Sequence, residues 1–185
     1  MQHNLSRTNL LLAITFLLAG FSLRAVAQPI SGDEIKAQFV KDWQRAKSYT
    51  IDYLNTMPAD KYSFKAVDSI RSFAQQMLHL ASGNAGLIGL ATGEKIDFPR
   101  NLEKSPGAQN KDSVVWYVTR SYDFAIESVE KLDPGKYGEM VGQDPRKSSR
   151  FAWLLKAFEH QTHHRGQTTI YIRLQGIRPP NERLF

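Results

Sequence analysis

The sequence predicts an all-α protein folded as a four-helix bundle with long crossover connections. Four stretches of the 185-residue chain carry apolar side chains at three- and four-residue steps, which is the spacing of one face of a helix. No stretch shows a convincing strand-type alternation of apolar and polar residues. Roughly ten residues separate the helical stretches, more than the 2–8 of a tightly connected bundle, which favours one or two crossovers.

The first two helices are predicted from their capping residues and their apolar stripes. The first helix is expected to begin at Ser31 and to end at Pro58. Ser31 and Glu34 form the S-x-x-E pattern of a capping box, which satisfies free backbone N–H groups in the first turn. The second helix is expected to run from near Ser69 to Ala91 after a mixed loop.

The third and fourth helices flank a polar, turn-rich stretch. The third is expected from near Asp112 to the turn at Pro134, and residues 138–148 then form the connection. The fourth and longest helix is expected from about Ser149 to Gln175, where the following glycine is a natural C-cap.

The first 27 residues are predicted to be a secretory signal peptide. Arg7 supplies positive charge, residues 10–20 form an apolar or small run, and Ala25 to Ala27 form a small-residue cleavage site. The run is shorter than the roughly 20 apolar residues that span a bilayer, although an uncleaved anchor is the alternative. We therefore expect an exported protein, periplasmic or secreted, with no stable membrane span after cleavage and a single domain over residues 28–185.

Composition excludes several classes of site. The chain has no cysteine, so it has no disulfide, thiolate metal site or cysteine nucleophile, and any metal must be held by histidine and carboxylate. Loss of Arg7 and Arg24 with the signal peptide would lower the net charge from +6 to +4. No run of five or six basic residues occurs, so we expect no nucleic-acid partner.

Histidine placement indicates a metal site. His79 falls in the middle of the second predicted helix, and His160, His163 and His164 fall together in the fourth. At 100° per residue, His160 and His164 are about 40° apart on the helix surface, so both imidazoles point to one side. His163 lies about 100° from His164, so it is expected not to bind the metal directly but to support a ligand from outside or to cap a neighbouring carbonyl. Among zincins the same i, i+4 spacing has a glutamate after the first histidine, where this chain has Gln161.

Such a pair is, on spacing alone, more often an ordinary surface or core feature than a metal site. The composition of the fourth helix favours the metal here. The fourth helix is apolar over most of its circumference, so it should be buried, and buried histidines need partners. Metal binding is then expected to weaken as pH falls through the ordinary histidine pKa of about 6.5.

A polar face on the second helix matches the histidine pair. It surrounds His79 and carries Ser72, Gln75, Gln76, Ser82, Gly83 and Gly86. Glycine within a helix costs about 1 kcal/mol relative to alanine, so Gly83 and Gly86 predict close packing or room for a ligand. A solvated polar face is the alternative. On the fourth helix, Gln167 and Tyr171 share the side of the histidine pair and are, with His163, candidate pocket residues.

The sequence resembles the DinB/YfiT-like family of metal-dependent enzymes. The resemblance rests mainly on His-Gln-Thr-His-His-Arg-Gly-Gln over 160–167 and on Leu-Gln-Gly over 174–176, with weaker matches around Trp43, Tyr62 and His79. In that family a histidine from the second helix and an i, i+4 pair from the fourth bind a divalent metal, usually nickel or zinc. The resemblance therefore implies His79, His160 and His164 as ligands within a DinB-like four-helix bundle. The loop before the second helix departs from the family's sequence pattern, because the proline expected after Phe64 is absent.

The expected function is that of a divalent-metal-dependent enzyme acting on an unidentified small molecule. Three imidazoles leave a coordination position open, as catalytic sites do. Characterised members of the family are thiol-dependent transferases and isomerases, so the resemblance implies such an activity, or a hydrolase. A non-catalytic metal- or ligand-binding bundle is the alternative, because the sequence identifies no acid or base beside the metal. Catalytic residues are unassigned, and a homodimer is left open.

Overall fold

The computed structural model describes residues 28–185, and the predicted signal peptide lies outside them. The four predicted helices are confirmed, and their bounds are α1 Gly32–Thr56, α2 Phe73–Thr92, α3 Lys111–Lys131 and α4 Arg150–Leu174. Four short 3-10 turns lie in the connections, at Ala59–Lys61, Leu102–Lys104, Pro106–Ala108 and Pro134–Lys136. Within residues 28–185, none of the helices contains an apolar stretch that could span a bilayer.

Local capping explains where the first two helices begin. Ser31 and Glu34 form the predicted capping box at the start of α1. The second helix starts at Phe73, four residues later than expected, because Ser72 caps it in a reciprocal pair with Gln75. The loop before it also takes up the first free N–H groups, since Phe64 O accepts from the backbone N–H of Phe73. The predicted start near Ser69 is therefore wrong.

A two-residue ladder interrupts the connection between α3 and α4. Strand β1 (Met140–Val141) pairs antiparallel with β2 (Ser148–Ser149), and Met140 lies opposite Ser149. The sequence predicts only turns here, because two-residue strands carry no alternating pattern. Ser149 then caps α4 by accepting from the backbone N–H of Ala152.

The bundle is arranged so that α2 packs against both α3 and α4, while α1 packs against α3 and less extensively against α4. Consecutive helices α1 and α2 therefore lie across a diagonal, which confirms the expected crossovers. Trp43, fully buried in α1, makes edge-to-face contacts with Tyr122 of α3 and Phe158 of α4. The pairing of α2 with α4 brings together the two helices that carry the candidate histidines.

Candidate metal centre

Three imidazoles meet where α2 packs against α4. One ring nitrogen from each of His79, His160 and His164 lies within 4.8 Å of the other two. The ring centroids are 5.3 Å apart for His79 and His160, 4.5 Å for His79 and His164, and 4.3 Å for His160 and His164. The predicted convergence of a histidine from the second helix with the pair on the fourth is thus confirmed as geometry. We call these residues the histidine triad.

The triad is uncharged at neutral pH. Burial lowers the pKa of His160 to about 4, with a further contribution from His79. Burial also lowers the pKa of His164 to about 4, and it lowers the pKa of His79 together with the charge of Arg71. Neutral imidazoles are the form that binds metals. Competition from protons, expected near pH 6.5 from the sequence, should therefore set in at lower pH.

Two glutamine side chains hold the ring of His164. Its Nδ1 lies 2.7 Å from Nε2 of Gln76, which is buried in α2, and 3.0 Å from Oε1 of Gln167. Gln76 Nε2 also donates to Gln167 Oε1. When Nδ1 carries the ring proton and donates it to Gln167 Oε1, Nε2 is the unprotonated nitrogen of His164. Gln76 was on the predicted polar face but was not assigned to the site.

The two glycines of α2 have different surroundings. A Cβ atom at Gly83 would lie 2.0 Å from Cε1 and 2.4 Å from Nδ1 of His160, so only glycine leaves space for this ring. A Cβ at Gly86 would meet nothing within 4 Å. Gly86 lines a separate cavity near Phe98, not the one beside the triad. Of the two expectations for these glycines, Gly83 shows the close packing, here against the His160 ring, and Gly86 gives no support for room beside the triad.

A carboxylate lies beside the triad that sequence reasoning missed. Glu103 Oε2 is 3.6 Å from His79 Nδ1 and 2.5 Å from Arg71 Nε. Burial raises the pKa of Glu103, but the hydrogen bond and charge of Arg71 outweigh it and leave this pKa below its usual value. The 3-10 turn Leu102–Lys104 carries Glu103, and its buried Leu102 anchors the turn. No pattern in this connection signals such a role.

A cavity of about 920 Å³ opens beside the triad and reaches it at His164. The predicted pocket residues His163, Gln167 and Tyr171 all line it. His163 is exposed, its ring centroid is 5.0 Å from that of His164, and it stands outside the group of converging nitrogens. The Tyr171 hydroxyl donates to the backbone oxygen of Arg71 at 2.8 Å.

A second polar group occupies a different face of α4. Gln161 is fully buried, and its Oε1 accepts from the Tyr122 hydroxyl and from an Arg165 NH2 group, each at 2.8 Å. Thr50 Oγ1 lies 2.7 Å from the same hydroxyl, and the guanidinium of Arg165 stacks 4.7 Å from the ring centroid of Tyr49. We call these residues the core network. Gln161, at the place of the zincin glutamate, therefore has no access to the triad.

The fold and the site together define an all-α four-helix bundle with a three-histidine group between its second and fourth helices. The chain belongs to the DinB family, whose family model matches residues 30–183. No functionally curated protein matches it.

Solved structures share this fold. A DinB-like protein from Bacillus cereus superposes with a TM-score of 0.68 at 17% identity, covering 78% of this chain and 95% of that one. A DinB-like protein from Bacillus subtilis gives 0.62 at 17% identity, with 80% and 96% covered. A conserved protein from Enterococcus faecalis gives 0.59 at 16% identity, with 76% and 96% covered. At these identities the likeness establishes the fold alone.

Proposed function

We propose that the protein is a divalent-metal-dependent enzyme acting on a small molecule, with His79, His160 and His164 as metal ligands. The observation that carries this proposal is the convergence of three neutral imidazoles from two helices. An all-imidazole donor set suits nickel or zinc.

The surroundings of the triad fit a metal ion. Nδ1 of His160 is buried and has no hydrogen-bond partner among the described residues. A buried polar atom without a partner destabilises the fold, so a ligand at this point would remove an unfavourable contribution. Gln76 and Gln167 already restrain His164 from the side of its Nδ1, as outer groups commonly do for metal-binding imidazoles.

An enzyme is favoured over a binding protein by the cavity and by Glu103. A bound ion with three protein ligands supplies a Lewis acid with an open coordination position. The cavity gives a small molecule access to the triad at His164. Glu103 lines the same cavity, and its low pKa keeps the carboxylate ionised at neutral pH, so it can accept hydrogen bonds from a bound molecule but is only a weak base. A thiol-dependent transferase or isomerase, or a hydrolase, is consistent with this arrangement.

The test is metal analysis of untagged protein together with two matched variants. His164→Ala should abolish stoichiometric binding of nickel or zinc, because it removes one of three converging ligands. His163→Ala is the control, since it removes the adjacent, exposed imidazole outside the converging group. Equal metal content in the two variants would contradict the proposal. An activity that is unchanged after a chelator has removed the metal would contradict a metal-dependent enzyme.

We further propose export through the N-terminal 27 residues, with no nucleic-acid partner. The positive charge, apolar run and Ala25 to Ala27 pattern support it. N-terminal sequencing of protein recovered from its native cell should begin at Gln28. An intact Met1 would contradict this.

A further inference from the structure

The cavity beside the triad has a cationic group in its wall. Arg71 is partly buried, and in the described part of the chain its side chain donates one hydrogen bond, from Nε to Glu103 at 2.5 Å. Both terminal NH2 groups are therefore available to a ligand. The Tyr171 hydroxyl donates a hydrogen bond to the backbone oxygen of Arg71. This contact with α4 holds the backbone of Arg71 at the cavity wall independently of its side-chain conformation.

The other charged side chains around the cavity also favour the binding of an anion. The exposed rim of the cavity carries Lys65, Lys104 and one carboxylate, Asp68. Glu103 adds a negative charge, but this charge is paired with that of Arg71. The triad is neutral, so an ion bound there would add its full positive charge. The lined space is thus net positive before and after metal binding.

Two isoleucines give the same cavity an apolar side. Ile70 and Ile170 both line it, although they are 37% and 55% exposed. A single exposed apolar side chain is ordinary, but two that share a cavity with a metal site form a surface that an apolar group would cover. The volume of about 920 Å³ accommodates a molecule that reaches from the isoleucines to the triad.

We propose that the substrates of this site are small organic carboxylates with an apolar body. The carboxylate would bind the free NH2 groups of Arg71, and the carbon skeleton would pack against Ile70 and Ile170. One planar guanidinium with two free NH2 groups matches a carboxylate in geometry and charge. This inference rests on the proposed function for its metal, and it adds the class of substrate.

The test uses calorimetry on zinc-loaded protein with three probes. These are 4-phenylbutyrate, its neutral amide 4-phenylbutyramide, and acetate, which has the charge without the apolar body. Two variants remove one feature each, Arg71→Gln and Ile170→Ser. Their controls are Arg120→Gln, which breaks a comparable half-exposed pair with Glu127, and Leu155→Ser, which is 48% exposed on the same helix but outside the cavity.

The parent protein should bind 4-phenylbutyrate at least tenfold more tightly than the amide or acetate. Arg71→Gln should lose about tenfold in affinity for the acid and little for the amide, and Ile170→Ser should weaken both. Equal binding of acid and amide, or equal effects of the Arg71 and Arg120 variants, would overturn the inference. An acid whose binding needs zinc but not Arg71 would also overturn it, while leaving the proposed function intact. Absence of zinc binding would instead refute the proposed function, and the acid-over-amide preference is then tested on metal-free protein.

Discussion

Two polar clusters on α4, the triad and the core network, differ in how far their polar atoms are satisfied. His160 and His164 form one i, i+4 pair, and Gln161 and Arg165 form another, displaced by one residue and so by about 100° around the helix. Oε1 of Gln161 accepts two hydrogen bonds in the core network, whereas Nδ1 of His160 has no hydrogen-bond partner among the described residues. Satisfied polar groups in a core stabilise and specify the fold, whereas an unsatisfied nitrogen within a group of converging imidazoles indicates a binding site.

The largest expected effect comes from filling the space that the triad uses. Gly83→Ala places a methyl group 2.0 Å from Cε1 of His160, so the ring must move out of the triad. Metal affinity should fall about a hundredfold or more, roughly 2.7 kcal/mol, while the helix is retained. Isothermal titration with zinc and circular dichroism measure the two quantities.

Gly86→Ala is the matched control for this prediction. It lies on the same helix, and its new methyl group meets nothing within 4 Å. Metal affinity should be unchanged, and the free energy of unfolding should rise by up to about 1 kcal/mol from helix propensity. A loss of metal binding in both variants would show that any change in α2 disturbs the triad.

Substitutions of two glutamines of α4 should affect different properties, one the free energy of unfolding and the other the affinity for metal. Gln161→Leu leaves the Tyr122 hydroxyl and the Arg165 guanidinium without their shared acceptor, so unfolding free energy should fall by about 2 kcal/mol with metal stoichiometry unchanged. Gln167→Leu removes an exposed amide that holds His164, so metal affinity should fall about tenfold with little change in stability. Urea unfolding and zinc titration on both proteins measure this. If both variants lose the same property, the distinction between the two clusters is wrong.

The smallest effect is a pH dependence of stability in the metal-free protein. His160 and His164 have pKa values of about 4 in the fold, below the ordinary 6.5 of an unfolded chain. Between these values the unfolded chain binds protons that the fold does not, so stability should decline as pH falls from about 6.5 towards 4. Above 6.5 the two groups should contribute no slope.

Urea unfolding with chelator present, repeated over that pH range, measures the slope. The double variant His160→Asn, His164→Asn should show a flatter dependence than the parent, and His163→Ala should keep the slope of the parent. An unchanged slope in the double variant would mean that the triad is not desolvated.

Features confined to one helix could be predicted from the sequence alone. The capping box of Ser31 and Glu34 and the close of α4 before Gly176, whose φ is +73°, depend on neighbours within a few residues. The shared direction of His160 and His164 follows from the helical repeat in the same way. Placing His79 beside them required only that α2 and α4 be neighbours, which the family resemblance implied.

Tertiary structure decided everything that depends on which surfaces approach one another. Glu103 and Arg71 come from different connections, and only the docking of the 3-10 turn at Leu102 brings the carboxylate within 3.6 Å of His79. Gly83 and Gly86 lie on the same side of a helical wheel as His79, yet only Gly83 faces the His160 ring. Periodicity fixes the direction of a side chain around its own axis, whereas the identity of its neighbour depends on how separate helices and loops pack, which no local pattern encodes.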